Sequence, residues 1–526
     1  MKGKHAYAPL STESPLNDPE QRPSSHSSTA SHRSESRGST MGENIASSSR
    51  GHGLQRLYSR DGVTSKTGSE PEVYPVQRWD SNRTDTAFID AEHPDASEVS
   101  ARPKYRVYKQ RWFGLAQLVL LNIIVSWDWL TFAALSSTAA EYFDVSETAI
   151  NWLSTAFLFA FAIAAPAVIW VLNHHGPKTS ILVASALVLV GNWIRYAGTR
   201  SGSHGHFGVV MFGQILIGLA QPFVLAAPTR YSNLWFSDSG RVSATAIASL
   251  ANPLGGALGQ LVGPLLATDT SGVPSMVLYT AIISSVAAIP SFFISARPPT
   301  PPSATAAAEK LDLSLSFHSL IHNGSFYLIL VPFSVFVACF NATSTLLNQI
   351  LEPYGFSETQ AGIAGALLIF VGLGTAAVVS PIIDRTQAYL FTLKLLVPFI
   401  AIFYTILIFM PGTRSAAGSY IIFALLGAAS FSLLPMALEL LAITTFPISP
   451  EVSSVVAWTV GQVLGAIFVI IMDALQSTDG YNGEPAGSLK LSLIFQAALA
   501  WVVVPLPMFL GFWKFKGAFT SAGLET

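Results

Sequence analysis

The chain has 526 residues, half of them hydrophobic and only 11% charged, with a formal net charge of −2 and a mean hydropathy of +0.46. A soluble domain carries about a quarter charged residues, and a disordered chain is far less apolar, so neither class fits the whole. The near-neutral balance argues against a nucleic-acid partner. A lone cysteine, Cys339, excludes an intramolecular disulfide and a Cys-based metal cluster.

Residues 1–104 are rich in Ser, Pro, His and charge and almost free of aliphatic side chains. Such a segment buries too little surface to offset its ordering entropy, which predicts a disordered cytoplasmic tail open to cytosolic regulators. The opening residues hold no apolar signal-peptide core, so the first apolar run, near Trp112, is expected to act as its own insertion signal.

From Trp112 the chain is a series of apolar segments of about 20 residues, each long enough to cross a bilayer. They fall at 112–137, 150–172, 180–200, 207–230, 242–267, 275–295, 325–350, 361–383, 391–411, 417–441, 452–474 and 489–513. Interior Gly and Pro do not argue against helix, because membrane bundles tolerate both. Lys and Arg cluster before the first segment (RPKYRVYKQR, 102–111), beside the fourth and eighth, and after the last; the connections EYFDVSET and EPYGFSET contain none. The positive-inside rule therefore predicts cytoplasmic termini, with Arg195, Arg200 and Arg414 as exceptions on the outer side.

The longest inner connection, 297–323, is Pro-rich at its start and divides the segments six and six, giving predicted halves at 105–296 and 324–515 and a short cytoplasmic tail at 516–526. The halves repeat weakly. Aligning Ser-Glu-Thr 146–148 on 357–359 also superposes the short inner connections NHHGPK and DRTQAY. Two parallel six-helix halves are the signature of the major facilitator fold, so the expected class is an all-α membrane protein of twelve transmembrane helices in two pseudo-symmetric halves. No Walker A sequence, nucleophile elbow or HExxH is present, and no enzymatic activity or cofactor is expected. His174 and His175 are adjacent but have no third ligand at suitable spacing, so no metal site is expected there.

Several stretches, in order, resemble the feline leukaemia virus subgroup C receptor-related family of solute carriers, solute carrier family 49. They are RWFGL (111–115), INWLSTAFLFAF (150–161), GNWIRYAG (191–198), GLAQPFVLAAPTRYSNLWF (218–236), NPLGGALG (252–259), STLLNQI (344–350) and ELLAITTFP (439–447). The resemblance implies a facilitator transporter with a central cavity, a small-molecule substrate and a plasma or internal membrane location. Family members are linked to choline and ethanolamine, to heme and to pyridoxine. By this resemblance the first-span tryptophan that stacks on a quaternary ammonium falls on Trp129, and in-span amides fall on Gln221, Asn252 and Gln462. The family's seventh-span aromatic falls on Asn341, with Phe340 adjacent. A family acid falls on Glu439.

The residue chemistry agrees with a cation site. A quaternary ammonium donates no N–H and is best held by aromatic faces and negative charge. Trp127, Asp128 and Trp129 offer both within three residues, and Asn122, Ser126, Trp129 and Ala133 share one helix face. Asp128 stands where the family has a glutamine. It is a candidate for substrate contact, for proton coupling, or for a structural pair with Arg195. Arg230 is expected in gating or topology. The best-supported expectation is a choline- or ethanolamine-like substrate carried by alternating access; a heme carrier, a proton-coupled pyridoxine-type carrier and a membrane receptor are the alternatives.

Overall fold

A computed structural model describes residues 105–303, 318, 320–386, 388–445, 450–477 and 484–510. The predicted N-terminal tail, most of the linker after residue 303 and the C-terminal tail lie outside the described residues.

Every regular element among the described residues is helical. Twelve long helices follow in order: α1 Gln110–Leu130, α2 Glu147–His174, α3 Pro177–Thr199, α4 Phe207–Leu225, α5 Asp238–Leu266, α6 Val273–Ala288, α7 Gly324–Leu351, α8 Glu358–Thr386, α9 Tyr389–Leu407, α10 Ala416–Thr444, α11 Pro450–Ala474 and α12 Lys490–Val503. Short pieces prolong five of them: Ala133–Leu135 and Ser136–Phe143 after α1, Ala227–Trp235 after α4, Ile289–Phe293 after α6, Glu352–Tyr354 after α7 and Pro505–Met508 after α12. Each of the twelve predicted segments falls on one of these helices. Eleven are long and apolar enough to cross a membrane. The remaining one, α5, has the length at 29 residues, but Gly, Ser, Asn and Gln dilute its apolar content.

The repeated Ser-Glu-Thr is a helix start in both halves. Ser146 Oγ accepts the Ala149 amide at 3.2 Å to cap α2. At α8, Ser357 Oγ accepts the Gln360 amide at 3.2 Å while Gln360 Oε1 accepts the Ser357 amide at 3.0 Å, a reciprocal capping box. Two residues before each serine the chain turns through the left-handed region, at Asp144 (φ 53°) and Gly355 (φ 92°). Glycine takes that conformation at no steric cost, and Asp is among the few other residues that tolerate it.

Packing repeats as well. Helix pairs α1–α5, α2–α4, α3–α4 and α3–α6 recur as α7–α11, α8–α10, α9–α10 and α9–α12. The halves meet through α2–α11 and α5–α8, two pairs that exchange under the same operation. Close approach relies on small residues: a Cβ on Gly255 of α5 would collide with the Ile123 carbonyl of α1, and one on Gly427 of α10 with the Leu368 carbonyl of α8. The hydrophobic cores respect the division. One fills the second half and admits Ala257 of α5; the largest in the first half admits Ala466 of α11. Large apolar side chains such as Ile163, Val286, Phe293 and Val502 point outward and are well exposed. In water such a surface would aggregate; in a bilayer it is the solvated face.

Candidate functional site

Trp129 sits on α1 with only 5% of its surface exposed, its indole stacked on Phe157 of α2 at 6.4 Å between centroids and 21° between planes. Its Nε1 has no hydrogen-bond partner. From α7, Phe340 packs against the cores of both halves, with its edge on Phe431 of α10 at 5.5 Å. Its neighbour Asn341 is buried and donates from Nδ2 to Gln462 Oε1 on α11 at 2.7 Å. The structure thus brings two of the predicted residues into direct contact, at the position where the family resemblance expects an aromatic ring.

Gln221 and Asn252 gather around a residue of α1 that shares the face of Trp129. Asn122 donates from Nδ2 to the Val224 carbonyl at 3.2 Å, one turn from Gln221 on α4, and its own carbonyl accepts from Asn252 Nδ2 of α5 at 3.4 Å. Asn122 Oδ1 and Gln221 Oε1 are buried without partners. Buried polar atoms are normally bonded, so these acceptors on Asn122 and Gln221 and the donor on Trp129 stand out as unsatisfied.

Asp128, open to three readings from the sequence, is held by side chains of α3. It is fully buried and faces α3, with Arg195 NH1 at 3.2 Å from Oδ1 and Asn192 Nδ2 at 2.7 Å from Oδ2. Of the three readings open from the sequence, this geometry matches the structural pair. It also explains one exception to the positive-inside count: Arg195 is a buried partner, not a loop charge. Arg230 is half-buried, and Glu439 lies on an exposed face of α10. His174 and His175 pack on Trp170, with centroids at 5.5 and 4.8 Å.

Sequence reasoning did not foresee the clasp joining the halves at one end of the bundle. Glu358, at the start of α8, accepts from Ser137 Oγ (2.6 Å), the Thr138 amide (3.1 Å) and Thr138 Oγ1 (2.8 Å). Asn348 of α7 donates to Ser136 Oγ at 3.1 Å. Asn151 of α2 and Gln349 of α7 exchange two side-chain hydrogen bonds, at 3.1 and 2.9 Å, and Asn151 also donates to Asp473 of α11 at 2.6 Å. Glu358 stood in the repeated tripeptide, and Asn348 and Gln349 were visible as polar residues in an apolar span. Their partners in the other half lie 198 to 221 residues away along the chain, a distance no local pattern spans.

Twelve helices in two matched halves around a polar, aromatic seam define a major facilitator transporter. The Major Facilitator Superfamily model matches residues 118–470. Solute carrier family 49 member A3 of Danio rerio is 32% identical over 80% of this chain and 88% of its own length. Two further relatives are the choline/ethanolamine transporters flvcr2b of Danio rerio, 27% identical over 74% of this chain and 82% of its own, and FLVCR1 of Mus musculus, 28% identical over 74% of each. Among solved structures, a bacterial homolog of the human lysosomal transporter Spinster aligns with a TM-score of 0.58 at 13% identity, over 80% of this chain and 99% of its own. A D-xylose–proton symporter aligns at 0.57 and 14%, over 77% and 97%; at such identities the likeness shows the fold alone. The chain belongs to the major facilitator superfamily and, within it, to solute carrier family 49. It is a multi-pass integral membrane protein whose working partners are the lipid bilayer and a small-molecule substrate.

Proposed function

We propose that the protein carries a small organic cation of the choline or ethanolamine type by alternating access, its two halves rocking about the seam that holds Trp129. The observation that carries the reading is the buried, stacked indole of Trp129 with its Nε1 unpartnered. An aromatic face in a dry site attracts an ammonium by about 2 kcal/mol. Phe340 supplies a second face from the opposite half, and the amides of Gln221, Asn252, Asn341 and Gln462 order the rest of the ligand. Asp128 is not a ligand contact in this reading. Glu439 and Arg230 are assigned to gating. The names of the relatives above support the substrate class.

The same reading divides the chain into a cytoplasmic tail (1–104), a first half (105–296), a cytoplasmic linker (297–323), a second half (324–515) and a short tail (516–526). The Lys and Arg distribution puts both termini in the cytoplasm of a plasma or internal membrane, and makes the clasped end the outer one. The N-terminal tail is available to cytosolic regulators.

Uptake of labelled choline, ethanolamine, pyridoxine and heme into proteoliposomes tests the assignment. Choline or ethanolamine flux that falls in Trp129→Ala supports it. Flux of only pyridoxine or heme moves the protein to that substrate, and ligand binding without flux makes it a receptor.

A further inference from the structure

The first span is broken just beyond Trp129. Regular helix ends at Leu130, a single turn of 3-10 helix covers Ala133–Leu135, and Leu135 leaves the helical region altogether (φ −135°, ψ 51°) before helix resumes at Ser136. Its counterpart in the other half, α7, runs unbroken for 28 residues. Sharp bends in helices come from Pro, Gly, a π-bulge or a group inserted into the hydrogen-bond ladder. Residues 126–143 contain neither Pro nor Gly.

Side chains of α3 and α4 bond a carbonyl at this point, beside Thr131 Oγ1 donating to the Trp127 carbonyl at 3.0 Å and Ser154 Oγ of α2 donating to the Trp129 carbonyl at 3.5 Å. The main-chain carbonyl of Asp128 accepts from Gln214 Nε2 at 3.1 Å and Arg195 NH1 at 3.4 Å. The same Arg195 nitrogen holds the Asp128 carboxylate, and the guanidinium carbon lies 5.0 Å from the centre of the Phe132 ring. One cation thus grips residues 128 and 132, on either side of the point where the helix ends. Close contact of α3 and α4 makes room for it: a Cβ on Gly213 would collide with the Arg195 stem.

We infer that Arg195, with Asp128 and Gln214, is a positioning device for the ligand-binding tryptophan: it fixes the break in α1 and thereby the place of Trp129. The inference rests on the proposed role of Trp129. Both hydrogen bonds to residue 128 come from one nitrogen, NH1, while Nε and NH2 are buried without a partner; what Lys would not reproduce is the planar guanidinium against the Phe132 ring together with those bonds.

The test measures labelled choline and ethanolamine uptake in proteoliposomes of the full chain at matched protein content, with Asp128→Asn, Arg195→Lys, Trp129→Ala and each anchor variant combined with Trp129→Ala. KM is expected to rise about tenfold in the anchor variants with Vmax changed less than about twofold, and neither variant should add to the effect of Trp129→Ala. An unchanged KM, or effects that add to that of Trp129→Ala, overturns the inference. Arg195→Lys keeps the charge, so it provides the reading if Asp128→Asn does not reconstitute. Amide hydrogen exchange gives a second, substrate-free reading: amides of 129–135 are expected to exchange about tenfold faster in Arg195→Lys while those of α7 are unchanged. If they are unchanged, the anchor does not exist. If the wild type carries neither amine yet exchange responds, the substrate reading fails and the anchor stands.

Discussion

At the scale of single residues, the arrangement about the seam favours aromatic and amide contacts over a full charge. Removing the indole in Trp129→Ala is expected to raise the KM for the transported cation roughly tenfold or more, the loss of a contact worth about 2 kcal/mol. Initial-rate uptake at varied substrate checks it. Asn341 gives a finer prediction. Its amide is bonded to Gln462 where an aromatic ring would otherwise cover a methylated ammonium. If the proposed site holds, its amides suit a head group with N–H donors, and Asn341→Tyr is expected to shift preference toward choline over ethanolamine by about threefold or more. Competition between the two in one uptake assay reads the ratio directly.

At the scale of elements, two contacts set local stability. Gly255 allows α5 to touch the backbone of α1 at Ile123, and Gly255→Val would drive the helices apart along the wall that carries Asn252 and Trp129. A cost of about 1–3 kcal/mol from overpacking is expected, seen as a lower unfolding temperature in detergent. The connection between α11 and α12 carries a pH-sensitive pin. Glu484 accepts from Lys490 Nζ at 2.6 Å and from the Tyr354 hydroxyl at 2.6 Å, and these bonds, Lys490 first, hold its carboxyl below the ordinary glutamate value. A depressed folded pKa gives stability that is complete above the unfolded value, about 4.3, and that fades as pH falls through the lower folded value. The pin is partly exposed, so its effect is local and small. Protease nicking of residues 475–489 should rise below about pH 4, and Glu484→Gln should remove that pH dependence.

At the scale of the whole molecule, the clasp ties the two halves together at one end. Glu358 alone takes three hydrogen bonds from Ser137 and Thr138 of the opposite half. Hydrogen bonds to a charged group are worth about 1.5–3 kcal/mol each, enough to bias a two-state equilibrium. Glu358→Ala is expected to open that end. Spin labels on Arg200→Cys and Arg414→Cys, exposed residues following α3 and α9 on the clasped side, would report a longer distance in a Cys339→Ala background. An unchanged distance distribution would assign the closure to apolar packing of α2–α11 and α5–α8.

The sequence by itself determined the twelve helices, their division six and six and the family. Those features are written in local composition: apolar runs of bilayer length, a repeated tripeptide at matching places in the two halves, and in-order motifs. It also placed Trp129 and Gln462 in the bundle and raised Arg195 as a mate for Asp128. Only the tertiary structure decided what each polar group does. A buried side chain bonds to whichever neighbour packing delivers, and here those neighbours stand 64 to 322 residues away in sequence. That is why Asp128 is found against Arg195 and Asn192, why Asn341 met Gln462, and why Glu358 bonds across the halves. The break in α1 was likewise invisible beforehand, because no Pro or Gly marks it and the side chains that bond carbonyls beside it come from three other helices.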